Sequence, residues 1–308
     1  MHSSLIINTS AWHYQNHFSS VMSLHVLITG INGYISQYLL KFRPQGVSIS
    51  GTYHSTKLPF EKSLSQIPLD LTKDVCKQLQ NIKPDVVIHT AAVSNLAICQ
   101  NNPDLAHRIN SLATKELAHC CAKINARLLY LSTDIVFDGA HAPYAESAEA
   151  QPVNIYGKSK YAGELAVKTF EGNTIVRLAL VLGEGIAEKK NFVDWLITRI
   201  KKNQSIHLFY DEIRTPVCAV DAAKMIWKIV LENITGIVHI CSQESVDRYT
   251  LGREICKFYN KDFNNFVKVS LKDVALARPK DVSMVNNNRD LVIPAILPQI
   301  KRLFLDHE

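Results

Sequence analysis

The sequence predicts an α/β protein, a doubly wound parallel sheet followed by a smaller C-terminal α/β region. Three observations carry that expectation. From Leu24 onward, short β-branched or leucine-rich runs alternate with longer segments of helical period. The first of these runs breaks at glycines and opens directly into a helical segment. Beyond Gly183 the alternation loosens, although helical and strand patterns continue. Runs that are apolar on both faces belong to strands buried between helices and joined by crossover connections.

Taken in order, strands are expected at His25–Thr29, Val47–Thr52, Asp85–Thr90, Arg127–Ser132 and Thr174–Leu178. Between them, helical period marks Tyr34–Phe42, Lys73–Asn81, Pro103–Asn125 and Asn154–Phe170. Asn102 before Pro103 reads as a helix start, an N-cap residue followed by proline at the first helical position. Further on, helices are expected at Phe192–Lys202, Val220–Leu231 and Leu251–Phe258, with a strand at Ile237–Cys241. Neither an internal repeat nor a low-complexity linker separates the two parts, so they are expected to share an interface. Ligands of such sheets bind outside the carboxyl ends of the strands.

Composition narrows the class. The chain has 308 residues, 47% hydrophobic and 20% charged, which suits a folded globular protein and excludes disordered or fibrous classes. The formal charge of +6 is scattered, with only short pairs such as Lys189–Lys190 and Lys201–Lys202. It reads as a solvated surface with a mild positive field for anionic ligands, and no basic stripe interleaved with aromatics suggests nucleic acid. Seven cysteines, Cys76, Cys99, Cys120, Cys121, Cys218, Cys241 and Cys256, include no C-x-x-C pair. They are expected as buried thiols in a reducing cytoplasm, and no metal site is expected. No run approaches the roughly 18 apolar residues of a membrane span. Residues 1–21 lack the pattern of a signal peptide and read as a poorly ordered extension before Met22.

The chemistry begins at His25-Val-Leu-Ile-Thr-Gly30-Ile-Asn-Gly33-Tyr-Ile-Ser36. Gly30 permits a tight turn, Gly33 permits close approach of backbone N–H groups to a pyrophosphate, and the helix N-terminus faces that charge. Asn32, Tyr34 and Ile35 complete the turn. Ser36 stands where strand–helix packing usually asks for a third glycine. The alternative is an ordinary βα turn, but the strand–turn–helix context favours a Rossmann-type dinucleotide site. The second strand ends in Gly51-Thr-Tyr-His54-Ser55-Thr-Lys57, with no carboxylate to hold a ribose 2′-hydroxyl. A 2′-phosphate suits that stretch better, so NADP(H) is expected over NAD(H), which stays open. Asp70-Leu71 is a weak candidate for an adenine contact.

The strand Leu128–Ser132 runs into Thr133-Asp134, placing a hydroxyl and a carboxylate at the ligand edge. Downstream comes Asn154-Ile-Tyr156-Gly-Lys-Ser-Lys160. Tyr156 and Lys160 at i and i+4 share a helix face, so the ammonium is expected to lower the phenol pKa and ready it for proton transfer at a carbonyl oxygen. Thr133 can hydrogen-bond that oxygen. The competing reading is an amphipathic helix with a snorkelling lysine. The order of glycine turn, Ser-Thr-Asp step and Tyr-x-x-x-Lys favours catalysis. Residues 22–180 are therefore read as the NAD(P)-binding domain, and 181–308 mainly as a substrate-binding region with segments returning to the sheet.

With Gly30-x-x-Gly33, Ser132-Thr-Asp-Ile-Val-Phe-Asp-Gly139, Asn154–Lys160 and Arg278-Pro279 in order, the chain resembles the extended short-chain dehydrogenase/reductases. Within them it looks most like the dTDP-4-dehydrorhamnose reductase group, to which the regulatory β subunit of methionine adenosyltransferase is also similar. The resemblance implies Thr133, Tyr156 and Lys160 as a catalytic trio, with Tyr156 and Lys160 also at the cofactor, where Lys160 binds the nicotinamide ribose, and with Asp134 near the substrate. It implies Ala91-Ala92 along the cofactor and Asn110 supporting the site. Arg214 and Arg278 would meet substrate phosphates, or else be interface or surface charges. Val93-Ser94, Ile135 and Leu180 stand where the reductases often carry Tyr-Thr, Tyr and Trp, so the sugar side of the pocket departs from the pattern. The implied activity is NADPH-dependent reduction of a nucleotide-linked 4-keto sugar, with homodimerisation left open. A nucleotide-binding regulatory subunit and an epimerase or dehydratase are the alternatives.

Overall fold

A computed structural model of the protein describes residues 24–58, 64–79, 81–185, 191–261 and 263–307. The expected extension over 1–21 and the Lys189–Lys190 pair lie outside the described residues. The first six strands are β1 (Leu24–Thr29), β2 (Val47–Tyr53), β3 (Ser65–Pro68), β4 (Val86–His89), β5 (Arg127–Thr133) and β6 (Thr174–Leu178). Short strands follow at Val181–Leu182 (β7), Ile206–Phe209 (β8), Ile213–Arg214 (β9) and Val217–Cys218 (β10). Gly236–Ile240 (β11), Val246–Asp247 (β12) and Phe266–Val269 (β13) complete the set. Seven of these form one parallel sheet in the order β11-β6-β5-β4-β1-β2-β3. The chain winds outward from β1 in both directions, which sets the switch point beside β1 and β4.

Both faces of the sheet are covered, which is why the strand sequences read as continuous apolar runs. On one face Val26, Ile28, Ile88, Leu129 and Val176 pack with α1 (Tyr34–Lys41) and a later helix, Ala219–Leu231. Trp227 of that later helix donates its indole N–H to the Leu39 carbonyl at 3.0 Å. On the other face Leu27, Val87, Leu128 and Ile175 meet α2 (Cys76–Leu79) and the helices that follow β4 and β5. A separate apolar cluster, including Leu182, Leu196, Ile206 and Ile255, forms the core of the C-terminal region.

The expected strands recur within a residue or two of their predicted bounds; β7, β8, β9, β10, β12 and β13 are additional in the C-terminal region, and up to β6 one strand and one α-helix are additional. One is β3 at the sheet edge. The other is α3 (Leu96–Asn101), capped by the Asn95 side chain accepting from Ile98 N at 3.0 Å. Asn102 therefore sits at the joint between α3 and α4 (Pro103–His107), in the expected N-cap position with Pro103 opening the helix, but its side chain makes no capping bond. The long helix continues as a π-helical turn over Arg108–Leu112 and then α5 (Ala113–Lys123). The remaining α-helices among the described residues are α6 (Ile155–Lys168), α7 (Phe192–Lys201), α8 (Ala219–Leu231) and α9 (Arg248–Phe258). The expectation of seven free thiols is corrected at one pair. α2 packs against α5 so that Cys76 and Cys120 are joined as a disulfide with Cα atoms 5.3 Å apart, while the other five are buried thiols.

At the end of β4, His89 is fully buried, bridging Thr29 Oγ1 at 2.7 Å and Thr114 Oγ1 at 3.1 Å. Burial, with the Lys160 ammonium nearby, pushes its pKa down to about 3 from 6.5. The unfolded chain takes up a proton below about pH 6.5 that the native imidazole refuses, so stability present above that pH drains away as pH falls toward 3. By pH 4 the expected loss from this residue is on the order of 3 kcal/mol. Urea unfolding of His89→Gln should show a shallower acid decline than the parent.

Candidate active site

The carboxyl ends of β1, β2, β4, β5 and β6 open onto one cleft of about 1140 Å³. Its first wall is the β1–α1 turn. Gly30 adopts a φ of +68°, and a Cβ there would sit 2.9 Å from the Ala91 Cβ. No side chain caps α1 at Gly33, so its first N–H groups are available to an anion. Asn32 Oδ1 is buried at the same place without a partner among the described residues. Ser36, where a glycine is usual, is fully buried; its hydroxyl donates to the Gly30 carbonyl at 3.0 Å and pairs with Thr90 Oγ1 at 2.7 Å. The serine thus ties the turn to β4 instead of merely fitting beside it. Gly30, Asn32, Gly33, Tyr34, Ile35, Ala91 and Ala92 all line the cleft. These residues fit a dinucleotide pyrophosphate.

Beyond β2, His54, Ser55, Thr56 and Lys57 form an exposed rim without a carboxylate. Asn32 Nδ2 donates to the Thr56 carbonyl, which fixes the rim to the β1 turn. Lys57 Nζ stands 5.8 Å from the Tyr53 ring centre.

Thr133 ends β5, donating its hydroxyl proton to Asp134 Oδ1 at 3.1 Å and accepting from Ile135 N at 3.2 Å. α6 starts opposite. Asn154 caps it by accepting from Gly157 N at 2.9 Å, and its Nδ2 donates to the Ala277 carbonyl at 3.2 Å. Tyr156 is half-buried in the first turn of α6, and Lys160 follows one turn later. Both line the cleft with Thr133, Asp134 and Ile135. Lys160 Nζ donates to the Leu131 carbonyl at 2.7 Å and lies 4.0 Å from the Tyr130 ring centre. Burial pulls its pKa down to about 7, against the opposing pull of Glu164.

The expected acidification of Tyr156 by Lys160 is corrected here. Burial and the neighbouring Asp134 carboxylate raise the phenol above its ordinary value, with a hydrogen bond from Thr133 and the Arg214 charge acting the other way. The lysine shares the helix face, but its ammonium is taken up by β5.

Four expected contacts are placed off the cleft wall. Asp70 accepts from Thr72 N at 2.9 Å and Thr72 Oγ1 at 2.6 Å, forming a local turn, and Leu71 is buried in the core under α5. Asn110 sits in the π-helical turn, where its Nδ2 donates to the Val93 carbonyl at 2.9 Å and Ser159 Oγ at 3.0 Å. Its Oδ1 accepts from Val93 N at 2.8 Å. Asn110 and Val93 therefore lie behind the wall, binding the β4 loop to α6. Ser94 and Leu180 do line it.

Across the cleft, three arginines converge on Glu212, which is 1% exposed. Arg214 Nη2 reaches it at 3.0 Å, Arg278 Nη2 at 2.9 Å and Arg248 Nε at 3.4 Å. Arg214 Nη1 also donates to Asp134 Oδ1 at 2.7 Å. Burial alone would raise the Glu212 carboxyl, yet the three guanidiniums hold it down at about 2. Three cations against two carboxylates leave a positive face on which Arg248 Nη1, Arg214 Nε and Arg278 Nε have no partner among the described residues. Such a face suits a phosphate. Arg248 and Glu212 escaped the sequence reading because they sit in no motif; α9, β9 and the segment before Pro279 meet only in the folded chain. Among the described residues no helix is long and apolar enough to cross a membrane.

A glycine-turn cradle, a Thr-Tyr-Lys trio from the end of β5 and the start of α6, and a C-terminal region facing both define an NAD(P)-dependent extended short-chain dehydrogenase/reductase. Within that class the chain belongs to the family described as RmlD substrate binding domain, which matches residues 24–302. The chain is 28% identical over 298 residues to a probable low-salt glycan biosynthesis reductase of Haloferax volcanii, covering 92% of this chain and 99% of that one. It is 30% identical over 249 residues to the methionine adenosyltransferase 2 subunit beta of Xenopus laevis, covering 78% and 74% respectively. Its fold superposes with a TM-score of 0.81, at 30% identity, on a dTDP-4-dehydrorhamnose reductase of Bacillus anthracis solved with NADP, covering 92% of this chain and all of that one.

Proposed function

We propose that the protein reduces the keto carbon of a nucleotide-linked 4-keto sugar, of the dTDP-4-dehydrorhamnose type, at the expense of NADPH. The observation that carries this reading is the placement of Thr133, Tyr156 and Lys160 in one cleft between the Gly30–Gly33 cradle and the arginine face. The solved relative that holds NADP, and its reductase activity by name, point the same way. When bound, the cofactor supplies a hydride to the keto carbon. Tyr156 donates its phenolic proton to the oxygen as negative charge develops there, and Thr133 turns its hydroxyl from Asp134 toward the same oxygen. Lys160 holds positive charge beside the phenol's helix turn. Arg214, Arg248 and Arg278 hold the diphosphate, while Ser94, Ile135 and Leu180 shape the sugar side. NADPH oxidation followed across nucleotide-linked 4-keto sugars should be stoichiometric with sugar reduced; no oxidation with any of them would overturn the reading.

The His54–Lys57 rim supports NADPH over NADH, with NAD(H) as the lesser cofactor. Lys57→Ala is expected to weaken NADPH binding about tenfold through loss of a charge-assisted contact. NADH binding should stay unchanged, and fluorescence titration of both cofactors separates the two. A regulatory role is the second reading, favoured by the identity to the methionine adenosyltransferase subunit. Absence of turnover together with stable co-purification of an adenosyltransferase would establish it.

A further inference from the structure

Glu164 is 2% exposed and lies one helical turn beyond Lys160 on α6. Its carboxylate accepts from Ser132 Oγ at 2.5 Å, from Arg177 Nη2 at 2.8 Å and from Arg177 Nε at 3.2 Å to each oxygen. Ser132 immediately precedes Thr133 on β5. Arg177 belongs to β6, leans against the Phe137 ring with its guanidinium 5.0 Å from the centre, and donates to the Ala148 carbonyl at 3.4 Å. One buried carboxylate thus joins α6, β5 and β6 directly behind the cleft.

A buried ion pair is weak evidence for stability, because apolar side chains of similar volume often replace one without loss. What sets this pair apart is its neighbours. The titratable groups around the Lys160 ammonium are Glu164 on α6, Tyr130 on β5 and His89 on β4, with Tyr156 one helical turn earlier on α6. Burial keeps His89 and Tyr130 uncharged. Glu164 supplies the negative charge that opposes the burial of Lys160.

We propose that Glu164 is a positioning residue for the reduction: its carboxylate clamps Ser132, and with it the end of β5 that bears Thr133, and it balances the buried Lys160 ammonium. The proposal rests on the reductase reading but has a consequence that needs no sugar substrate. Lys160 lines the cofactor cleft, where a charged ammonium attracts the anionic cofactor, so the alkaline loss of NADPH binding should move when Glu164 is neutralised.

The test uses the full-length protein in two variants. Glu164→Gln combined with Arg177→Met removes both buried charges together and avoids stranding one of them. Fluorescence titration of NADPH between pH 5 and 9 should place the alkaline loss of affinity about one pH unit lower than in the parent. Ser132→Ala cuts the clamp but leaves the ion pair; it should keep the parent's pH midpoint and lower kcat about tenfold at unchanged KM. An unshifted midpoint in a folded double variant overturns the proposal. If the double variant does not fold, Ser132→Ala decides, and a kcat within twofold of the parent overturns it. A parent that binds NADPH but reduces no keto sugar would count against the reductase reading alone, because the binding midpoint remains measurable.

Discussion

Tyr156→Phe is expected to lower kcat by about 10²–10⁴-fold while the protein folds and binds NADPH within a few-fold of the parent. The substitution removes one oxygen. The ring keeps its place in the first turn of α6, which Asn154 caps independently of the phenol. What is lost is the proton donor for the developing alkoxide. Because burial and Asp134 raise the phenol, Tyr156 is fully protonated throughout the neutral range, as an acid for carbonyl reduction must be. Residual turnover in the variant should depend on water for its proton. Single-turnover NADPH oxidation and cofactor titration on the same preparation check both halves, and a kcat within a few-fold of the parent would remove Tyr156 from the proton-transfer role.

The largest effect on stability is expected from Glu212→Ala, a loss of about 3–5 kcal/mol in urea unfolding. The carboxylate is almost wholly buried and partners Arg214, Arg248 and Arg278. Its removal leaves three guanidiniums facing one another with only Asp134 to offset them. Arg278→Ala should cost far less, since its side chain is 20% exposed and the other two cations still balance Glu212. The damage in Glu212→Ala should also be partly reversible. Inorganic phosphate is expected to bind the native cluster and not the unfolded chain, so its addition should raise the variant's stability more than the parent's. Equal responses to phosphate in both would show that the arginine face is not an anion site.

How much of this was legible in the sequence depended on the range of the interaction. Strands such as Thr174–Leu178 were readable because burial on both faces writes an unbroken apolar run. β3, Ser-Gln-Ile-Pro, offers a single apolar side chain at a sheet edge, and α3 spans under two turns, so neither builds a period. The Gly30 turn and the Tyr156-x-x-x-Lys160 spacing were readable because local geometry makes them. The direction of the Lys160 ammonium was not, because the Leu131 carbonyl and Tyr130 ring that capture it come from another strand. Asp70-Leu71 illustrates the opposite limit. A dipeptide carries no neighbours, and here its carboxylate serves its own turn. The Arg214–Arg248–Arg278 cluster had no sequence spacing to find, since it is assembled from three distant segments.

The return of β11 to the main sheet has a mechanical consequence. The polypeptide leaves at β6, builds the first part of the arginine-bearing wall, and comes back to pair with β6 before leaving again. The cleft is therefore laced by several passes of chain, and its two walls cannot swing about a single thread. Opening and closing must be a small shear shared among those crossings. A chain nicked between α7 and α8 is expected to run as one particle in gel filtration, held by Trp227 against α1 and by β11 against β6.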